Sequence, residues 1–134
     1  MIMSNKNPFE GEPIIYSYTR KQAIEDGVLV DLTEWAKETG FTIPVACTAA
    51  VWNQYIEPPG DTKQLGQSER GRAHDLLWML YHAIRKQPGC ADRLIFQVIF
   101  LNQQQKRETI TLKVMCGSGD QGEPVITVMK IEED

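Results

Sequence analysis

The fold is decided by residues 67–115, QSERGRAHDLLWMLYHAIRKQPGCADRLIFQVIFLNQQQKRETITLKVM. Apolar residues recur near its start at steps of three and four, which places them on one stripe of a helix with 3.6 residues per turn. The stripe consists of Ala73, Leu76, Leu77, Leu80, Ala83 and Ile84. This spacing predicts a long amphipathic helix over residues 68–86 that buries the stripe.

The ends of this helix carry the usual start and stop signals. Ser68 is a suitable N-cap, and Glu69 lies in the first turn, where the positive end of the helix dipole favours a carboxylate. Pro88 cannot continue the helix, and Gly89 opens the turn that follows. Gly71 weakens the first turn by about 1 kcal/mol relative to alanine, so that turn depends on tertiary contacts.

Two strands are predicted after the helix, and they differ in pattern. Residues 94–101 are apolar on both faces except at Gln97, which predicts a central strand that is covered on both sides. In residues 109–116, apolar and polar residues alternate, which predicts a strand with one buried face and one face exposed to solvent. The residues predicted to face the core are Ile110, Leu112, Val114 and Cys116.

A last strand is predicted over residues 125–131, after a glycine-rich turn at residues 117–122. We therefore predict an α+β fold with an antiparallel C-terminal meander of three or more strands, packed by the long helix. A short N-terminal α/β region completes the core.

The N-terminal region alternates short helices with short extended segments. Thr19 and Gln22 match a capping box at the start of a first helix, and Gly27 ends that helix in the left-handed conformation. A brief strand over residues 28–30 follows.

Further helix signals follow this strand. Asp31 or Thr33 is predicted to cap a second helix that Gly40 ends, and Thr48 to cap a third. Between them Pro44 predicts an edge strand or an extended connection, because proline cannot donate to a strand ladder.

Composition limits the classes of function. The chain has 134 residues, a length typical of one domain, and its net charge of −4 argues against a nucleic-acid partner. It has no run of about 18 apolar residues, so no transmembrane helix and no membrane partner are predicted. Residues 1–13 are predicted to be a flexible arm, and residues 14–134 a single α+β domain. The three cysteines lack metal-type spacing, which favours reduced structural thiols in a cytoplasmic protein.

The candidate ligand-binding residues lie near the start of the long helix and in the glycine-rich turn. They are Arg70, Arg72, His74, Asp75 and Asp120. Arginines beside a helix N-terminus can hold a phosphate or a carboxylate. The competing interpretation, which the sequence favours, assigns the helix residues to surface ion pairs worth less than about 1 kcal/mol each.

No metal, cofactor or catalytic site is predicted. His74 and His82 are eight residues apart, about 12 Å along a helix, which is too far to share one metal ion. The glycine-rich turn lacks the Gly-Lys-Ser/Thr of a phosphate-binding loop and precedes a strand, so it predicts a hairpin turn. This lack of a catalytic motif favours a binding protein over an enzyme.

Several blocks of the sequence resemble a known family. Residues 18–31 and 40–46 resemble the opening of a family of uncharacterised bacterial proteins, a domain of unknown function. Residues 72–80 and 112–129, with the motifs Cys-Gly-x-Gly-Asp and Glu-Pro-Val-Ile-Thr, resemble its later blocks. Members of this family often occur on phages, plasmids and integrated elements. The resemblance therefore implies an accessory role in a mobile element, and it implies no reaction and no catalytic residue.

Three functions remain open at this stage. The first is a small cytoplasmic accessory protein of a mobile element that binds another protein. The second is a ligand-binding protein or enzyme acting on an anionic small molecule, where the loop at residues 57–67 meets the start of the helix at residues 68–86. The third is a nucleic-acid accessory protein that uses Lys106 and Arg107 at a hairpin tip.

Overall fold

The structure is a computed structural model that describes residues 18–58, 68–87, 92–102 and 104–133. A π-helical turn, Trp52–Ile56, continues the third helix. The helices and strands are, in chain order, α1 (Arg20–Glu25), β1 (Leu29–Asp31), α2 (Thr33–Thr39), β2 (Val45–Thr48), α3 (Ala49–Val51), α4 (Glu69–Lys86), β3 (Arg93–Leu101), β4 (Arg107–Ser118) and β5 (Pro124–Lys130).

The described strands form one mixed sheet with the order β1-β2-β5-β4-β3. β3, β4 and β5 are the predicted antiparallel meander, joined by two hairpins. β2 runs parallel to β5, and β1 pairs antiparallel with β2. The N-terminal region therefore extends the same sheet, and the predicted α+β class is confirmed.

Helix α4 covers one face of this sheet and makes the core with it, as the apolar stripe predicted. Ala73, Leu76, Leu77 and Leu80 are fully buried. Their neighbours in the core include Phe96, Val98, Phe100, Ile110, Leu112, Val114, Ile126 and Val128 from the three meander strands. Helix α2, from the N-terminal region, also packs against α4. Ser68 is the predicted N-cap, and its hydroxyl accepts a hydrogen bond from the Gly71 amide at 3.0 Å.

The prediction that the first meander strand is central is wrong. Among the described strands β3 lies at the edge of the sheet, and it pairs only with β4. Helix α4 covers the face that carries Phe96 and Val98, whereas Ile95 and Ile99 on the opposite face are 58% and 55% exposed. Apolar residues on both faces of a strand therefore did not mean that both faces are covered.

The inward position predicted for Cys116 is also wrong, because this residue is exposed. It lies one residue beyond Met115, whose pairing with Arg93 is the last between β3 and β4. The other three residues predicted to face inward from this strand are buried.

The local signals of the N-terminal region are confirmed. The Thr19 hydroxyl and the Gln22 side chain each accept the other's backbone amide, which is a complete capping box. Gly27 follows helix α1 with a φ of +79°. Gly40 follows α2 with a φ of +125°, a conformation that favours glycine, and a Cβ there would make a tight contact of 3.1 Å with the Tyr81 ring.

The cap predicted for helix α2 is wrong, because Leu32 occupies the N-cap position and makes no side-chain cap hydrogen bond. The Asp31 carboxylate lies one residue earlier and accepts hydrogen bonds from the amide and hydroxyl of Thr33, the first residue of the helix. β2 begins directly after Pro44 and lies between β1 and β5, so it is not an edge strand. Proline is tolerated there because it precedes the strand, and its carbonyl accepts the Ile126 amide.

Several predicted features lie outside the described residues. They are the arm at residues 1–13, most of the loop at residues 57–67, and the turn at Pro88 and Gly89. None of the helices in the described ranges is long and apolar enough to cross a lipid bilayer.

Candidate functional site

Arg70 and His74 line a cleft between the start of α4 and helix α2. The cleft has a volume of about 330 Å³, and its walls are Trp35, Glu38, Ser68, Arg70, Gly71 and His74. The Arg70 guanidinium donates to both Glu38 carboxylate oxygens at 2.8 Å. Because this carboxylate balances the arginine charge, an anion entering the cleft would have to compete with Glu38.

Arg72 is in a different environment from Arg70, because its side chain is only 2% exposed. Its Nε donates to the Tyr55 carbonyl at 2.5 Å and its Nη1 to the Leu101 carbonyl at 3.1 Å. The guanidinium also lies over the Phe100 ring, 4.4 Å from the ring centre. Burial lowers the pKa of Arg72, an effect that the charge of Asp75 opposes.

These contacts give Arg72 a structural role. The Tyr55 carbonyl lies in the last turn of a helical segment, where carbonyls have no partner within the helix. Arg72 therefore joins the end of this segment to the end of β3 through helix α4.

Asp120 lies at the start of α1 and not at the start of α4. Its two carboxylate oxygens accept the backbone amides of Arg20 and Lys21 at 2.7 and 3.0 Å. The side chain thus satisfies two of the amides that every helix N-terminus leaves unpaired. Apart from Arg70 and His74, which share one cleft, the predicted ligand residues line different cavities, and their role in binding an anion stays a prediction.

Asp75, the remaining predicted residue, lies in a groove between α4 and the edge strand β3. The groove has a volume of about 330 Å³ and is lined by Asp75, Trp78, Met79, Gln97, Val98, Ile99 and Thr109. Partial burial raises the pKa of the Asp75 carboxyl, against the opposing charges of His74 and Arg72. We call this feature, together with the adjacent Ile95, the α4–β3 groove.

The α4–β3 groove carries large apolar side chains that are open to solvent. Trp78 is 48% exposed and Met79 is 43% exposed, and Ile95 and Ile99 are more exposed than either. Among the described residues, the other large apolar side chains of similar exposure are scattered along the chain, at Tyr18, Val28 and Ile131. An exposed apolar surface of this kind marks interaction sites on soluble proteins.

Trp78 is held in position by its neighbours on α4. It stacks on the His74 ring at a centroid distance of 6.4 Å and meets the His82 ring edge to face at 4.5 Å. Trp78 can stack on His74 because residues four positions apart lie one turn apart on the same side of a helix. An indole fixed in this way loses little conformational freedom when a partner covers it.

Sequence reasoning did not identify the groove, although one signal was present. The two apolar faces of residues 94–101 fitted a covered central strand as well as an exposed edge. Whether the strand is central or at the edge depends on the order of the strands in the sheet, and the local sequence pattern does not predict that order. The positions of Trp78 and Met79 in the sequence did not indicate that they are exposed, because they stand between Leu77 and Leu80, which are buried.

No group of three or more histidine, cysteine, aspartate or glutamate side chains in the described ranges is arranged to hold a metal ion. The fold and the groove together define a small α+β domain with an exposed apolar groove along an edge strand.

A comparison with known protein families identifies the family of this chain. The chain belongs to a family of unknown function, DUF6573, which matches residues 4–134. This confirms the resemblance to an uncharacterised family over nearly the whole chain. No curated protein and no solved structure matches the chain.

Proposed function

We propose that this protein is a small accessory protein that acts by binding another polypeptide chain at the α4–β3 groove. It functions as a binding module and not as an enzyme. The observation that carries the proposal is that Trp78, Met79 and Ile99, all more than 40% exposed, line one groove beside a strand edge, with the exposed Ile95 four residues before Ile99 on the same strand.

Two physical features support a polypeptide as the bound molecule. The outer side of β3 has no strand partner among the described residues, so its amides and carbonyls offer a template for another strand. The adjacent tryptophan and methionine are residue types that are enriched at the centre of protein interfaces.

The proposal includes a cytoplasmic location and an origin in a mobile genetic element. The first is supported by the number and spacing of the cysteines, which favour reduced thiols, and the second by the family resemblance. They are tested by locating the protein in the cell and by the genes that surround its coding sequence.

The groove is tested by photocrosslinking in living cells. A benzoyl-phenylalanine replaces Ile99, and in a matched control it replaces Lys37, an exposed residue on α2. We expect a discrete adduct with a polypeptide from position 99 and none from position 37. Adding Ile95→Lys to the position-99 variant places a charge on the apolar surface and should remove the adduct.

Two results would overturn the proposed site. One is the absence of any adduct from position 99, and the other is equal adducts from positions 37 and 99. Circular dichroism of each variant shows whether the fold is retained.

A further inference from the structure

We infer that the polypeptide bound at the groove is a second copy of this chain, whose β3 pairs antiparallel with β3 about a two-fold axis through Gln97. This inference rests on the proposed function and names its partner. Two copies joined in this way would share one continuous sheet, with β3 of each copy paired on both sides.

The sequence of β3 is self-complementary about Gln97. In an antiparallel pair centred there, Ile95 lies opposite Ile99 of the second copy, and Phe96 lies opposite Val98 of the second copy. Side chains directly opposite each other share a face, so the exposed isoleucines of both copies meet on one face.

This register is the one that pairs the whole strand. It uses all nine residues of β3, from Arg93 opposite Leu101 to Leu101 opposite Arg93. A shift of two residues in either direction leaves the strand ends unpaired and places an isoleucine opposite Gln97. A shift of one residue would bring the exposed face of one copy against the buried face of the other.

The charges of β3 are compatible with this pairing. Arg93 is the one charged residue in the strand, and it lies opposite Leu101 of the second copy, so no like charges face each other. The edge also has no proline or lysine, two residues with which proteins commonly block edge pairing.

Helix α4 presents apolar surface near the same axis. Trp78 and Met79 line the groove at Gln97, so a two-fold axis through Gln97 brings these side chains of both copies towards each other. The pairing therefore covers apolar surface on both faces of the new strand pair, and it buries the same surface of each copy, as in an isologous interface.

The test is sedimentation velocity of the purified full chain over a wide range of concentration, with two single variants, Ile95→Lys and Ile99→Glu. We expect the natural chain to form a dimer. Each variant alone should weaken dimerisation by about tenfold or more, because every homodimer sets two charges against isoleucine. An equimolar mixture should recover dimer, since the lysine at position 95 then faces the glutamate at position 99 of the second copy.

The mixture tests the register itself, because only pairing of position 95 with position 99 brings the opposite charges together. Ile131→Lys is the matched control, since this residue is 42% exposed and lies outside β3, and it should leave dimerisation unchanged. A natural chain that stays monomeric, single variants that dimerise normally, or a mixture that stays dissociated would each overturn the inference.

The outcomes also separate this inference from the proposed function. A monomeric natural chain, together with a position-99 adduct to a different polypeptide, would overturn the second copy as partner and support the groove. The absence of an adduct would count against the groove itself.

Discussion

Arg72 shows how one residue acquires a structural role that its type does not suggest. Sequence reasoning grouped it with Arg70, two positions earlier, as part of an anion site. A step of two residues in a helix turns the side chain by about 200°, so the two arginines point to nearly opposite sides. One remains at the surface beside Glu38, and the other enters the interior beneath Phe100.

We expect Arg72→Ala to lower the free energy of unfolding by about 3 kcal/mol, because it removes a buried side chain and leaves the partly buried carbonyls of Tyr55 and Leu101 without this donor. Urea denaturation measures the change. Arg70→Ala is the control and should cost less than about 1 kcal/mol, since it removes an exposed ion pair. If Arg72→Ala were as mild as the control and abolished binding of an anion, the anion-site hypothesis would be supported instead.

Cys47 is a second residue whose environment changes its chemistry. It is fully buried in β2, and burial, with a smaller contribution from the Glu133 carboxylate, raises the pKa of its thiol from about 9 to about 12. The folded chain therefore keeps this proton at pH values where the unfolded chain releases it.

The sign of the resulting pH dependence follows from linkage. Between about pH 9 and pH 12 the folded state binds more protons at Cys47, so this residue contributes a loss of stability as the pH rises. We expect the difference in unfolding free energy between the natural chain and Cys47→Ala to be constant at neutral pH. Above pH 9 it should shift in favour of the variant, measured by urea denaturation at each pH. A difference that is independent of pH across this range would contradict the expectation.

At the scale of elements, helix α1 depends on a contact from far along the chain. Six residues are too few for a helix to persist alone, and its capping box satisfies only part of its N-terminus. Asp120 provides the remaining acceptors from the turn between β4 and β5, 99 to 100 residues away. A local signal thus specifies the helix, and a distant residue stabilises it.

We expect Asp120→Ala to destabilise the fold by about 1 kcal/mol, the usual cost of losing a helix cap. Asp120→Asn should cost less, because the amide oxygen still accepts one of the two bonds. Thermal unfolding followed by circular dichroism measures both variants. An unchanged stability in Asp120→Ala would show that water replaces the carboxylate at this helix end.

At the scale of the whole molecule, the parallel pairing of β2 with β5 organises the sheet. It places the last strand of the chain between β2 and β4, and this leaves β3 at an edge. The N-terminal strands could instead have paired with the outer edge of β3. Ile95 and Ile99 would then have been less exposed, because an adjacent strand would have lain beside them. In the proposed pairing of two copies, β3 of the second copy lies beside β3 of the first, which suits a strand that is apolar on both faces.

The sequence by itself determined the order of the helices and strands, the caps at Thr19, Thr48 and Ser68, and the apolar stripe of α4, because these depend on residues within a few positions of each other. Only the tertiary structure decided the order of the strands, the burial of Arg72, the contact of Asp120 with α1 and the exposure of the α4–β3 groove. These features depend on contacts between segments that are distant in the sequence. The most stable arrangement is set by the whole sheet, so the residue pattern of a single segment does not indicate it.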